Sequence, residues 1–176
     1  LIGGTDTPAV DRENPRALKV TFHHNIYRDV TQRLPRVRYG MVHIYNNFYF
    51  GSRQTSTAYP FSQAWTAGQS SKIYAENNVF LVGGGALSNL VNASVSATQT
   101  TRCLGLGFTA AECATTFFDR GTVLNDQPVD VAAFLFSRSS AVGPTAWQPT
   151  SFYNYQLEPT DGLVRRLSEN VGPGRL

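Results

Sequence analysis

The segment "VTFHHNIYRDVTQRLPRVRYGMVHIYNNFYF" covers residues 20–50 and indicates the class of fold. It contains two runs in which apolar positions alternate, and the runs end in asparagine at Asn25 and at Asn47. Alternation with a period of two predicts β-strands that bury one face. Asparagine tolerates the left-handed backbone conformation that a sharp bend requires. We therefore expect two strands, each followed by a bend at its asparagine.

The same pattern occurs a third time, in "IYAENN", which ends at Asn78. The three asparagines lie 22 and 31 residues apart, and each follows an apolar residue five positions earlier, namely Val20, Val42 and Ile73. Strands that recur at such a period with a bend at a fixed register predict a parallel β-solenoid, in which equivalent side chains stack. A β-sandwich is the alternative, but its hairpins need turn dipeptides such as Asn-Gly, and none occurs between these strands.

The repeat weakens after Phe80. Residues 81–128 contain "GGGALSN", a run of Ser, Thr and Ala, and two cysteines, and we expect them to form a long loop excursion from the solenoid. The apolar segment "VDVAAFLF", residues 129–136, is predicted as a strand.

The C-terminal part is expected to close the solenoid. "TSFYNYQL", residues 150–157, is predicted as a last coil with Asn154 at its bend. The tail "DGLVRRLSEN", residues 161–170, has leucine and valine at helical spacing after an Asp-Gly start, which predicts a short C-terminal helix. Residues 1–176 thus form one predicted domain, with clear coils over 1–80, a loop excursion over about 81–128, and a last coil and tail over about 129–176.

The composition suits one globular domain. The 176 residues are 41% hydrophobic and 15% charged, which is enough for a core. No apolar run approaches the roughly 20 residues that span a bilayer, so the sequence predicts no membrane-crossing segment. Thirteen of the fifteen basic residues are arginine, which suits bidentate contacts to carboxylate or phosphate, although a coding bias explains that ratio equally well. The first residues, "LIGGTDTP", look like the end of a strand and a turn, so we expect the chain to begin inside a fold.

An arginine-rich segment, "QRLPRVR", joins the first two strand runs. In extended backbone, Arg36 and Arg38 point to one face and Val37 to the other. Pro35 stiffens the turn that directs Arg33. Clustered guanidinium groups repel one another unless an anion lies between them, so the segment predicts a site for an anionic ligand. The alternative is a solvated, charged edge of the sheet.

This region resembles the pectate lyases of polysaccharide lyase family 1. The elements "HHN", "QRxPRVRxG" and "VHxYNN" match in order and spacing, the resemblance extends from about Leu1 to Phe80, and it returns weakly at "FYNY" and in the tail. The resemblance implies an all-β fold, a right-handed parallel β-helix with an asparagine ladder. It implies that the chain supplies only the C-terminal coils of a catalytic domain.

The resemblance also implies an activity, the eliminative cleavage of α-1,4-linked polygalacturonate that leaves 4,5-unsaturated uronate ends. By the match to the family motif, Arg33 is the base that removes the C5 proton and Arg38 holds a substrate carboxylate. Trp65 is assigned to stacking on a sugar ring, with packing in the core or a loop as the alternative. Histidine is the usual general base, and His24, whose register suggests that it faces the interior, is the next candidate after Arg33.

The family's calcium ligands and its catalytic lysine lie upstream of the position that matches Leu1. The resemblance therefore implies Ca²⁺ as cofactor, but no metal ligand is assigned in this chain. The only local acidic cluster, Asp6, Asp11 and Glu13, lacks the ligand spacing of a calcium loop and is predicted to occupy turns. We expect polygalacturonate as the partner, neither nucleic acid nor membrane, and an N-terminal companion segment that completes the β-helix.

Two functional alternatives and one question of compartment stay open. The chain could be a non-catalytic, pectate-binding solenoid fragment, or a pectin lyase that acts on methylated polymer without calcium. A polymeric substrate outside the cell predicts a secreted, extracellular protein. Cys103 and Cys113 lie ten residues apart, a spacing that fits either a disulfide or two free thiols, and an extracellular location would permit the disulfide.

Overall fold

A computed structural model of the chain describes residues 1–11 and 13–170. It contains thirteen strands in this described part, arranged as three sheets that form the sides of a solenoid. Sheet 1 consists of β3 (Arg36–Val37), β6 (Trp65–Gly68) and β9 (Val91–Ser94). Sheet 2 consists of β1 (Leu18–His23), β4 (Gly40–Tyr45), β7 (Lys72–Glu76), β10 (Thr115–Arg120) and β13 (Val142–Pro144). Sheet 3 consists of β2 (Ile26–Arg28), β5 (Phe48–Ser52), β8 (Val79–Gly83), β11 (Val123–Leu124) and β12 (Gln127–Pro128).

Each coil passes through the three sheets in turn, and equivalent strands of successive coils pair in parallel. In sheet 2, Val20 pairs with Val42 and Val42 with Ile73, and in sheet 3 Phe48 pairs with Val79. Only the short hairpin of β11 and β12 is antiparallel within the described residues. The predicted parallel β-helix is confirmed.

The predicted asparagine ladder is also confirmed at the bend between sheets 2 and 3. Asn25 Nδ2 donates to Asn47 Oδ1 over 2.9 Å, and Asn47 Nδ2 donates to Asn78 Oδ1 over 3.1 Å. The left-handed residue of each bend, however, is not the ladder asparagine but the residue before it, namely His24 (φ 53°), Asn46 (φ 50°) and Asn77 (φ 47°). The ladder asparagines serve the bend through their side-chain hydrogen bonds.

The core lies between the three sheets and is filled by stacked aromatic rings. Tyr49 stacks on Phe80 at 4.2 Å between centroids, and Tyr27 stacks on Tyr49 at 4.9 Å. Trp65 is 0% exposed, packs edge-on against Phe80, and donates from Nε1 to the Tyr49 hydroxyl over 3.1 Å. The assignment of Trp65 to a sugar-stacking surface is therefore wrong, because its indole is enclosed in the core.

Residues 81–128 follow the solenoid for longer than predicted. The coils continue through β8, helix α1 (Leu87–Leu90), β9, β10 and β11. Only the part between β9 and β10 leaves the coil, as helices α2 (Ala97–Gly105) and α3 (Ala110–Cys113). Cys103 and Cys113 form a disulfide that joins these two helices, and with Phe108 they make a small separate core.

The predicted strand at residues 129–136 is wrong, since this segment forms helix α4 (Val131–Arg138). The Asp130 side chain caps the helix by accepting from the Ala133 amide over 2.8 Å. Val131 and Leu135, one helical turn apart, are buried in the main core. A capping residue and this four-residue spacing favour a helix over the strand that the apolar run alone suggested.

The predicted last coil with Asn154 at its bend is wrong as well. A 3₁₀ turn (Pro149–Ser151) precedes a segment without regular structure, residues 152–158, which we call the C-terminal strap. The strap lies across the outward face of sheet 2, and Asn154 is exposed.

The predicted C-terminal helix is present as α5 (Leu163–Asn170). Its Leu163 and Leu167 pack against Phe48 and Val79 on the outward face of sheet 3. The remainder of the predicted tail, residues 171–176, lies outside the described residues. Within the described part of the chain, no helix has the length and apolar character to cross a membrane.

Candidate functional site

The arginine segment forms the edge of sheet 1. Arg36 and Val37 make up β3, which pairs with Thr66 and Ala67 of β6. Val37 is 0% exposed and faces the core, so Arg36 and Arg38 project outward, as the alternation predicted.

Arg38 is held by an ion pair. Its Nε donates to Asp6 Oδ1 over 2.6 Å, and its Nη1 lies 3.5 Å from the Gly3 carbonyl oxygen. The Arg38 side chain is 12% exposed, so little of the guanidinium reaches solvent. A charge-assisted bond of this length fixes the orientation of the guanidinium plane.

Arg36 is only partly satisfied. Its Nη2 donates to Ser94 Oγ over 3.2 Å and lies 3.7 Å from Asp6 Oδ2, beyond hydrogen-bond distance. Its Nε is buried and has no hydrogen-bond partner among the described residues. Arg36 therefore retains donor capacity and positive charge.

Arg33 has an exposed side chain and a left-handed backbone (φ 67°). The next two residues, Leu34 and Pro35, are buried and anchor the turn beneath it. The Arg33 guanidinium makes no hydrogen bond or ion pair with any residue in the described ranges, so it is available to a ligand.

A polar cavity of about 170 Å³ adjoins Arg33 and Arg36. Arg36, Thr66 and Asn92 stand in register across the three strands of sheet 1 and form one wall. The complete lining is Gln32, Arg33, Arg36, Gln63, Thr66, Asn92, Ala93 and Ser94. Amide and hydroxyl groups beside two guanidinium groups suit a ligand that carries carboxylate and hydroxyl groups.

The site carries an excess of positive charge, because it contains three arginines and, in the described part of the chain, only the Asp6 carboxylate is paired with any of them, namely with Arg36 and Arg38. The nearby Glu13 carboxylate accepts from the Gly4 amide over 2.8 Å and is not ion-paired with the three arginines. Sequence reasoning placed Asp6 in a turn and missed its ion pair, which spans 32 residues and leaves no local signature. Among the described residues no group of three or more His, Cys, Asp or Glu side chains could hold a metal ion.

The histidines lie elsewhere. His43 is on sheet 2, where its Nε2 lies 3.1 Å from Glu76 Oε2 and its Nδ1 2.6 Å from the Tyr153 hydroxyl. His24 is at the bend between sheets 2 and 3, and its Nε2 lies 3.2 Å from Glu158 Oε1. The expectation that His24 faces the interior is wrong, and the structure does not bring either ring to the arginines of sheet 1.

Tyr39, the residue after Arg38, holds the backbone of Asp6. It is 0% exposed, and its hydroxyl donates to the backbone carbonyl oxygen of Asp6. Burial raises the pKa of Tyr39 well above its ordinary value, with the carboxylates of Asp6 and Glu13 adding to the effect. The phenol therefore remains a hydrogen-bond donor across the physiological pH range.

Comparisons with known proteins identify related chains. The family model described as pectate lyase matches residues 1–174. A pectate lyase of Bacillus subtilis is 41% identical over 176 residues, and pectate lyase E of Dickeya chrysanthemi is 32% identical over 177. Both alignments cover 100% of this chain but only 36% and 40% of those proteins.

Solved structures agree with these relatives. The structure of a pectate lyase from Acidovorax avenae subsp. citrulli superposes with a TM-score of 0.95 at 48% identity, over 100% of this chain and 37% of that one. A pectate lyase bound to a hexasaccharide superposes with a TM-score of 0.67 at 34% identity, over 89% of this chain and 33% of that one. The chain thus spans between a third and two fifths of the length of these relatives.

Proposed function

This chain belongs to the pectate lyase family, and from that premise we propose that the complete protein cleaves α-1,4-linked polygalacturonate by β-elimination. The observation that carries the proposal is the arginine face of sheet 1, where Arg33 is unpaired within the described residues, Arg38 is fixed, and Arg36 retains an unpartnered Nε. A polyuronate presents one carboxylate per sugar ring, so positively charged groups along one face match it.

Arg33 is proposed as the base. It takes the C5 proton, the C5–H electron pair forms the C4–C5 double bond, and the C4–O bond breaks with its electron pair leaving on oxygen. A free guanidinium stays protonated at neutral pH and is a poor base. Arg36 lines the same cavity and places a second positive charge beside Arg33.

Arg38 is proposed to bind a substrate carboxylate. Asp6 occupies its Nε and the Gly3 carbonyl oxygen lies 3.5 Å from its Nη1, so Nη2 and the second N–H of Nη1 are left for a ligand. A guanidinium and a carboxylate form a pair of parallel hydrogen bonds in this geometry, which orients the sugar as well as binding it.

The described residues offer calcium no ready set of ligands, since no three of their His, Cys, Asp or Glu side chains are grouped to hold a metal ion and Asp6 is committed to the two arginines. We propose that Ca²⁺ is bound by acidic residues of an N-terminal companion segment that completes the β-helix. The coverage of only 36% to 40% of the curated relatives supports such a segment.

The test is an activity assay on the complete protein with polygalacturonate. The proposal expects ultraviolet absorbance from unsaturated uronate products and its loss on addition of a chelator. Polymer binding without product would favour the non-catalytic, pectate-binding alternative. Turnover of methylated polymer that a chelator does not affect would favour a pectin lyase.

We also propose that the protein is secreted, because its substrate is extracellular. The disulfide between Cys103 and Cys113 supports this, since such bonds persist in oxidising compartments. Mass spectrometry of alkylated protein with and without reductant tests the disulfide, and two free thiols in freshly secreted protein would count against the pairing.

A further inference from the structure

Asp6 lies between two arginines of the candidate site. Its Oδ1 accepts from Arg38 Nε over 2.6 Å, and its Oδ2 lies 3.7 Å from Arg36 Nη2. The Arg38 bond is short enough to be a strong charge-assisted hydrogen bond, whereas the Arg36 contact is electrostatic only. One carboxylate therefore acts on both guanidinium groups.

The backbone on both sides of this ion pair is tied together. Ile2 N donates to Arg36 O over 2.8 Å, and Arg38 N donates to Ile2 O over 2.9 Å. Gly3 has a φ of 78°, and a Cβ there would lie 2.6 Å from the Arg38 carbonyl oxygen, so the close approach requires glycine. The Tyr39 hydroxyl also donates to the Asp6 carbonyl oxygen. These contacts fix the backbone that carries the Asp6 side chain.

The ion pair with Asp6 restricts how the carboxylate of a ligand can approach Arg38. A free arginine offers a carboxylate two edges, one that includes Nε and one made of Nη1 and Nη2. Asp6 fills the first edge and repels a second carboxylate from it. A ligand carboxylate is thereby directed to the Nη edge, in one orientation.

We propose that Asp6 is a positioning residue that fixes Arg38, and secondarily Arg36, so that a uronate carboxylate binds in a single register beside Arg33. This inference rests on the proposed function and adds to it a residue that sets substrate orientation. Asp6 contacts no reacting atom, and its effect passes through the two arginines.

The experiment compares Asp6→Asn and Asp6→Ala with the parent in the complete protein. Steady-state kinetics on polygalacturonate are corrected for the folded fraction of each variant. We expect KM to rise on the order of tenfold for Asp6→Ala with a smaller change in kcat, because Arg38 binds carboxylate in the ground and transition states alike. Asp6→Asn retains an oxygen that can accept from Arg38 Nε, so part of the affinity should return.

A second readout separates positioning from a structural role. With Asp6 removed, Arg38 is no longer fixed and binds the uronate carboxylate less well, so the preference for unmethylated over partly methylated polymer should fall. Asp29→Asn is the matched control, because Asp29 is an exposed carboxylate 3.6 Å from Arg28 Nε, at the end of a strand of sheet 3. It should leave both readouts unchanged.

The outcomes are distinct. A folded Asp6→Ala variant with the KM and polymer preference of the parent overturns the inference, and Asp6→Asn serves in its place if the alanine variant does not fold. If the parent binds trigalacturonate without cleaving it, the lyase proposal fails, and calorimetry should still show roughly tenfold weaker binding for Asp6→Ala. A parent that neither binds nor cleaves contradicts both proposals.

Discussion

The side chain of Asn47 stands in line with that of Asn78 one coil away, and its Nδ2 donates to Asn78 Oδ1 over 3.1 Å. The same Nδ2 also donates to the carbonyl oxygens of Phe22 and Tyr45, and Asn47 Oδ1 accepts from Asn25. One buried side chain thereby satisfies backbone groups of two coils at the point where the chain turns from sheet 2 to sheet 3. Without it these backbone carbonyls would lose one hydrogen-bond donor each.

Replacing Asn47 with alanine should destabilise the protein by about 3 kcal/mol or more, because it removes hydrogen bonds to two backbone carbonyls and to both neighbouring ladder asparagines. Thermal unfolding followed by circular dichroism measures the loss. Asn154→Ala is the control, since Asn154 is exposed on the strap. Equal melting temperatures for the two variants would show that the hydrogen bonds of Asn47 do not stabilise the protein measurably.

The ladder and the parallel sheets could be predicted because they come from a repeated local pattern. Alternating apolar residues indicate the strand, and the asparagine at its end indicates the bend, so a few positions are enough to predict both. Helix α4 could not be predicted from the apolar character of residues 129–136, since short apolar runs occur in both helices and strands, and its Asp130 cap was overlooked. The strap has no periodic sequence pattern that would predict it. It has no regular secondary structure, and side-chain contacts to sheet 2 hold it in place.

Asp119 should make stability fall as pH rises from about 4 to 7. Its carboxyl group faces inward, in register with Ala75, accepts from Thr122 Oγ1, and lies 3.4 Å from the Val131 amide. Burial raises the pKa of Asp119 from 3.8 to about 7, against the opposing effect of these two donors. The native state therefore binds a proton that the unfolded chain has already lost, so ionisation costs up to about 4 kcal/mol across this window.

The measurement is the difference between Asp119→Asn and the parent across the pH range. Asparagine mimics the protonated acid, so the difference should grow in favour of the variant from pH 4 to 7 and stay level above pH 7. Both proteins share the other titrating groups, so the contributions of those groups to the pH dependence cancel in this difference. A difference that does not change with pH would mean that Asp119 is ionised in the native protein.

Glu76→Gln should release the C-terminal strap. Glu76 is 0% exposed and accepts from His43, Tyr155 and Arg120. Burial by itself would raise its pKa, but these hydrogen bonds outweigh that effect and hold the pKa below its ordinary value. An amide turns one acceptor into a donor that faces other donors, which should cost about 2 to 4 kcal/mol.

Hydrogen exchange of the backbone amides over residues 153–158 gives a local measure of this effect. In Glu76→Gln, exchange of these strap amides should accelerate more than exchange of the amides in the ladder strands. Glu169→Gln on α5 is the control, because it removes an exposed carboxylate 3.4 Å from Arg165 Nη1. Uniform acceleration over the whole chain would show that Glu76 supports the solenoid rather than the strap.

The candidate site was predictable only where its residues are close in sequence. Arg33 and Arg38 share one short motif, and alternation gave the outward direction of Arg38. Asp6 joins them through folding alone. Trp65 was misassigned because its place in β6 was not considered. Trp65 and Ala67 share one face of that strand, and pairing with Val91 and Ala93 points this face inward.

Arg38→Lys should weaken substrate binding. Lysine keeps the charge but loses the planar fork, so it cannot bind Asp6 and a uronate carboxylate on separate edges. We expect KM to rise on the order of tenfold or more, with a decrease in kcat if the carboxylate bond also strengthens in the transition state. Unchanged KM in a folded variant would remove Arg38 from substrate recognition.

Arg33→Lys should have the opposite pattern, a loss of kcat with little change in KM. The Arg33 guanidinium makes no ion pair within the described residues, so its replacement should leave the melting temperature nearly unchanged. Lysine retains a positive charge for binding but moves the nitrogen and alters its basicity, and a positioned base contributes a factor on the order of 10² to 10⁴ in rate. The measurement is kcat and KM on polygalacturonate for the complete protein, beside Arg165→Lys on α5 as a control for the chemical change itself. If Arg33→Lys folds and turns over normally, arginine is not the base. His24 would not replace it without rearrangement, because its ring nitrogens contact His23 and Glu158 at the bend between sheets 2 and 3.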